Sequence, residues 1–149
     1  MADPFNLERF VRAQQPLYTQ VLTELAAGRK GSHWMWFIFP QLAGLGRSAT
    51  ARAYAISTLG EARAYLEHPL LGARLRECTR LVNALTGLTV AEIFGAPDDL
   101  KFRSSMTLFA RAVTGADANP FREALAKYFA GAEDPGTREL LTSASRTSG

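Results

Sequence analysis

The chain has 149 residues, 47% of them apolar, and its 17 Lys and Arg against 14 Asp and Glu leave a formal charge of +3. That length suits one ordinary domain, and the apolar residues fall in short groups divided by charge, which excludes a membrane-length run. A charge this small and scattered carries no specific nucleic-acid signature, and the single cysteine, Cys78, excludes an internal disulfide and a cysteine-rich zinc site.

Asp3, Glu8 and Arg9 interrupt the start, where a secretory leader would be apolar, so a soluble cytoplasmic protein is expected. Asp3 with Pro4 predicts a capped first helix whose apolar face holds Phe5, Leu7, Phe10 and Val11. Pro16 opens a second, with Leu17, Val21, Leu22 and Leu25 at helical spacing and Gly28 as its stop. Then comes the densest cluster of unusual residues, His33-Trp34-Met35-Trp36-Phe37-Ile38-Phe39-Pro40-Gln41, which holds both tryptophans. Its stretch from Trp36 to Phe39 could be extended, but no polar alternation marks a strand.

Pro40, Gly44 and Gly46 predict a compact connection, and Ser48 starts a helix through Tyr54. Thr58 and Glu61 stand at capping-box spacing ahead of a helix ending at His68, before Pro69 restarts the chain. From Pro69 to Thr86 the residues Leu71, Leu75, Cys78, Val82 and Leu85 form one buried stripe, stopped by Gly87. Thr89 and Glu92 repeat the box spacing. Asp98 and Asp99 are expected to cap a longer helix ending near Gly115, Asn119-Pro120 opens another through Phe129, and Asp134-Pro135 a last one through Leu141. The sum is an all-α fold, a compact single-domain array of about seven short to medium helices over residues 1–149 with a flexible tail at 142–149.

Two segments offer chemistry. Trp34 and Trp36 could stack on a base or sugar, with His33 beside them able to transfer a proton near neutrality; the alternative is that the indoles are core. In the helix after Asp98, Lys101, Ser104, Ser105 and Leu108 lie on a side turned away from the stripe of Phe102, Met106, Phe109 and Val113. Lys101 could neutralise a phosphate and the serines could orient phosphate or ribose oxygens, unless the hydroxyls bond helix carbonyls instead. One of Asp98 and Asp99 could activate water or stabilise a developing ribose cation, although capping is the simpler duty of both.

Arg29, Lys30 and Arg47 could approach a phosphate from loops or form a solvated rim. Gly44-Leu45-Gly46-Arg47-Ser48 lacks the glycine spacing and terminal Gly-Lys-Ser/Thr of a Walker loop. His68 is expected to organise the bend before Pro69. His33 and His68, with no carboxylate partnership to support them, predict no metal, and no cofactor is expected.

The strings Gly28-Arg29-Lys30, His33 through Gln41, Gly44 through Ser48, His68-Pro69-Leu70-Leu71-Gly72 and Asp99 through Phe109 resemble the bacterial DUF1810 family, over approximately positions 3 to 141. That resemblance implies one mainly helical domain. The organisation is also distantly similar to the NADAR family, whose members include N-glycosidases of nucleotide-like or ADP-ribosyl substrates. Together with the two segments, this implies a nucleotide-derived small-molecule ligand and N-glycosidic hydrolysis. Trp34 or Trp36 would then hold the base, Lys101 the phosphate, and Asp99 the water or ribose cation. The alternative is a non-enzymatic interaction or regulatory domain whose charged rims bind another protein. No membrane partner is expected.

Overall fold

The computed structural model describes residues 3–114 and 118–148, the stretch 144–148 as backbone alone. Ten helices occur among them, more than the seven expected: α1 (Glu8–Gln14), α2 (Tyr18–Ala27), α3 (Met35–Ile38), α4 (Ala49–Ala53), α5 (Leu59–Glu67), α6 (Leu71–Ala84), α7 (Val90–Phe94), α8 (Asp98–Ala112), α9 (Pro120–Phe129) and α10 (Pro135–Ser148). Single turns are too short to show a period in sequence: α3 has no other mark, and α7 is marked only by the Thr89–Glu92 spacing. The stretch that could have been extended, Trp36 to Phe39, lies largely in α3. No strand occurs among the described residues; Leu42 and Ile56 form an isolated parallel bridge.

Most punctuation falls where the residues place it. Asp3 accepts hydrogen bonds from the Leu7 and Glu8 amides at 2.8 and 3.1 Å, so it does serve the start of α1, which begins later than Pro4 suggests. Gly28 ends α2 at φ 75°. Ser48, Thr58, Thr89 and Asn119 each accept from an amide in the first turn of their helix. Only Thr89 with Glu92 completes the reciprocal box.

Two expectations about helix ends differ from the structure. The cap position of α8 is Pro97, with Asp98 and Asp99 already inside the first turn and no side-chain cap, because the Asp98 carboxylate is drawn to two lysines. That helix stops at Ala112; the expected end near Gly115 lies outside the described residues. At the other end of the chain, α10 runs past Leu141 to Ser148.

The core sits around α8, which packs against α5, α7, α9 and α10 and is buried nearly all round. Phe39, Phe94 and Phe102 form its aromatic centre, with ring centroids 4.6 to 5.9 Å apart. Burial of Ser105, Thr107 and Leu108 as well as Phe102, Met106 and Phe109 reduces the polar side expected there to Lys101 and Ser104. A helix enclosed on most sides needs small residues where neighbours approach, and serine serves that need when it bonds its own helix, as Ser104 and Thr107 do.

Polar clips fix the outer elements. Arg9 donates to the carbonyls of Phe5, Asn6, Ala53 and Ala55 and to Glu61, tying α1 to the end of α4 and the start of α5. Gln14 donates to Phe37 O and Tyr65 Oη at 2.7 and 3.0 Å, joining α1, α3 and α5. Arg103 donates to the carbonyls of Ala132 and Glu133, and Thr107 Oγ1 accepts from the Asp134 amide, which lays the approach to α10 along α8. No helix among the described residues is long and apolar enough to cross a membrane.

Candidate functional site

The loop between α2 and α3 is built on one carboxylate. Glu24 accepts from the amides of Gly31 and Ser32, from Ser32 Oγ, from Gln20 Nε2 and from Trp34 Nε1, all within 3.1 Å. Burial pushes this carboxyl up, but the bonds from Ser32, Gln20, Gly31 and Trp34 outweigh it and hold the pKa down to about 2. The Lys30 amide donates to Ile93 O at 2.7 Å, pinning the loop to α7. The loop is therefore rigid where it passes the first turn of α8.

A one-turn helix beginning at Met35 sends Met35 and Ile38 inward and leaves Trp36 half-buried at the surface. The two tryptophans consequently have different duties. Trp34 is 1% exposed and its indole N–H is spent on Glu24, so it belongs to the core and is not a stacking surface. Trp36 divides two grooves. The larger, about 560 Å³, has Gln41, Arg47, Ser48, Leu100 and Ser104 in its walls, and the smaller, about 380 Å³, has Lys30, Ser32, His33 and Asp98. Trp36, Pro97 and Lys101 face both. These volumes fall within the range of small-molecule sites.

Lys101 Nζ lies 5.1 Å from the Trp36 ring centre, and Lys30 Nζ lies 5.1 Å from that of Trp34. Asp98 joins the two ammonium groups, with Oδ2 2.8 Å from Lys30 and Oδ1 3.4 Å from Lys101. The cluster of two cations and one anion keeps a net positive charge beside an aromatic face. Such an arrangement attracts phosphate or carboxylate groups attached to something flat.

The other expected residues divide clearly. Arg47 is exposed in the wall of the larger groove, and His33 is exposed in that of the smaller. Ser104 reaches the larger groove but donates its hydroxyl to Leu100 O, leaving only acceptor capacity. Ser105 is fully buried and faces neither groove, so a ligand contact there is excluded by packing. Asp99 is also outside both walls; its Oδ1 accepts from the Leu100 amide. The carboxylate in the wall of the smaller groove is its neighbour Asp98, one position earlier, because helical rotation of about 100° per residue turns the two apart; the larger groove has Asp134, whose Oδ2 accepts from the Thr137 amide and hydroxyl. The spacing of three between Asp98 and Lys101 was the sequence signal for that pairing. Arg29 is exposed and lines neither groove, whereas Lys30 faces the smaller one.

Elsewhere, His68 Nδ1 accepts from the amides of Leu70 and Leu71, the bend-organising duty expected of it. Burial pushes the Cys78 thiol up to about 12, against a hydrogen bond with Tyr18, which removes it as a nucleophile near neutrality. Among the described residues no group of three or more His, Cys, Asp and Glu side chains could hold a metal ion. A larger cavity of about 980 Å³ lies between the start of α5, the end of α8 and α10. Its Arg111 is committed to Glu133 through two bonds of 2.8 and 2.9 Å and its Thr58 caps α5, while among the described residues Arg122 is the other charged side chain in its wall and no aromatic ring lines it.

Comparison with known proteins adds a fold relative. The chain is 61% identical to the conserved hypothetical protein Rv1873 from Mycobacterium tuberculosis, whose crystal structure it matches at a TM-score of 0.91 over 94% of this chain and 99% of that one. No curated protein matches. The distant likeness to NADAR domains finds no support in these comparisons. The DUF1810 family model, described as a protein of unknown function, matches residues 4–141, and the chain belongs to that family.

Proposed function

We propose that the two grooves around Trp36 bind a nucleotide-derived small molecule, of the mononucleotide or ADP-ribosyl class. The observation that carries this reading is the meeting of the two polar-aromatic segments: Trp36 from α3 and Lys101 from α8 share both grooves, with the ammonium 5.1 Å from the ring centre. Trp36, Pro97 and the exposed Leu100 supply an apolar seat for a base, and Lys101 and Arg47 supply charge for phosphate. Neither Arg47 nor His33 has a hydrogen-bond or ion-pair partner among the described residues, so both are uncommitted. Hydrolysis of an N-glycosidic bond is the reaction proposed for such a ligand. His33 is then the proton-transfer group, and Asp99 has no part in it.

The test is calorimetric titration of AMP, ADP and ADP-ribose, followed by chromatography for released base. Trp36→Ala and Lys101→Met should each weaken binding by about tenfold or more while leaving thermal unfolding within a few degrees of wild type. Absence of saturable binding by a folded protein would overturn the reading. Binding without product would leave recognition and remove hydrolysis.

A second reading, a non-enzymatic interaction domain, is favoured by Leu100, which is 59% exposed at the rim of the larger groove. A partner protein would place an apolar side chain there. Failure of all three nucleotides would leave this reading standing.

A further inference from the structure

Resting on the ligand-binding reading above, we infer that Asp98 competes with the ligand's phosphate for the Lys101 ammonium and so sets how strongly the site holds an anion. The two lysines that Asp98 joins are unequal. Lys30 is held from three directions: its amide is pinned to Ile93 O, its ammonium lies over Trp34, and its 2.8 Å contact with Asp98 is made with a side chain only 6% exposed. Lys101 makes the longer 3.4 Å contact, is 28% exposed, and faces both grooves.

A phosphate entering either groove meets Lys101 at its open side. Lys101 hangs from a flexible four-carbon stem with three rotatable donors, so it can turn from a carboxylate to a phosphate without movement of α8. Lys30 cannot follow it, because its surroundings are packed. Asp98 keeps Lys30 as a partner when Lys101 leaves, so no carboxylate is stranded. The same geometry makes Asp98 a repulsive neighbour for any ligand anion, and its negative charge subtracts from the attraction that Lys101, Lys30 and Arg47 exert. Asp98 is thus a positioning residue that acts on affinity through Lys101.

The experiment titrates ADP-ribose and AMP into the full chain at low and moderate salt. Asp98→Asn should tighten binding on the order of three- to fivefold, the size expected for one partly exposed charge pair, and steepen the salt dependence. Because Asp98→Asn leaves Lys30 without its ion pair and can cost folding, the double variant Lys30→Met with Asp98→Asn removes both partners together, which buried pairs tolerate better. It should bind more tightly than Lys30→Met alone. Weaker binding by a folded Asp98→Asn variant than by wild type, or by the double variant than by Lys30→Met alone, would mean that Asp98 touches the ligand itself, and would overturn the inference. Unchanged affinity and salt slope in Asp98→Asn would overturn it equally. If wild type binds neither probe, the proposed function fails and the inference goes with it.

Discussion

At the residue scale, Glu24 and Ser105 show opposite treatments of a buried polar group. Glu24 gathers five hydrogen bonds onto one carboxylate, and its lowered pKa makes it a source of pH-dependent stability. A folded-state pKa of about 2 against an ordinary 4.5 means the unfolded chain takes up the proton first. The stabilisation, on the order of 3 kcal/mol, is therefore complete above the ordinary value and is lost as pH falls from 4.5 to about 2. Urea midpoints measured across that window should fall in wild type and flatten in Glu24→Gln, which is itself destabilised by about 2 kcal/mol at neutral pH. Ser105 is fully buried and its hydroxyl has no hydrogen-bond partner among the described residues. Ser105→Ala removes an unmet desolvation cost at little loss of volume, so stability should hold or rise by up to about 1 kcal/mol. A loss of more than that in urea unfolding would show the hydroxyl to be bonded in solution.

At the element scale, the elbow between α5 and α6 is set by a close approach. A Cβ on Gly72 would stand 2.1 Å from the Leu66 carbonyl oxygen, which also accepts from Arg76. The neighbour is backbone and cannot turn aside. Gly72→Ala should therefore cost about 3 kcal/mol, read as a lowered urea midpoint, whereas Gly60→Ala, near only the Thr58 hydroxyl at 3.5 Å, should change little. Capping signals carry a related lesson. Thr58 and Glu61 have the same spacing as Thr89 and Glu92, but Glu61 accepts from the Ser57 amide and hydroxyl and pairs with Arg9 at 3.0 Å instead of returning to Thr58. Ser57, one residue before the cap, takes one oxygen of Glu61 and a distant arginine takes the other.

At the scale of the whole molecule, the grooves exist because a rigid loop, a one-turn helix and the first turns of the central helix converge. Trp36 is reached by solvent there and Trp34 is not, so acrylamide should quench one tryptophan population and spare the other. Trp36→Phe should lose the quenchable fraction, and Trp34→Phe should keep it while losing stability; equal quenching in both variants would contradict the placement. The sequence by itself determined the all-α class, most helix starts and the stripe of α6, because proline, glycine, caps and helical periodicity act over a few residues. It also drew attention to the segments holding Trp36 and Lys101. Only the tertiary structure decided that Trp34 is core, that Ser105 is sealed inside α8, and that Lys30 from a distant loop joins Asp98 and Lys101. Those outcomes depend on which neighbour covers each face, and coverage is a property of the packed helices together. Short turns such as α3 were hidden for the same reason: their helical form is held by what surrounds them and not by their own few hydrogen bonds.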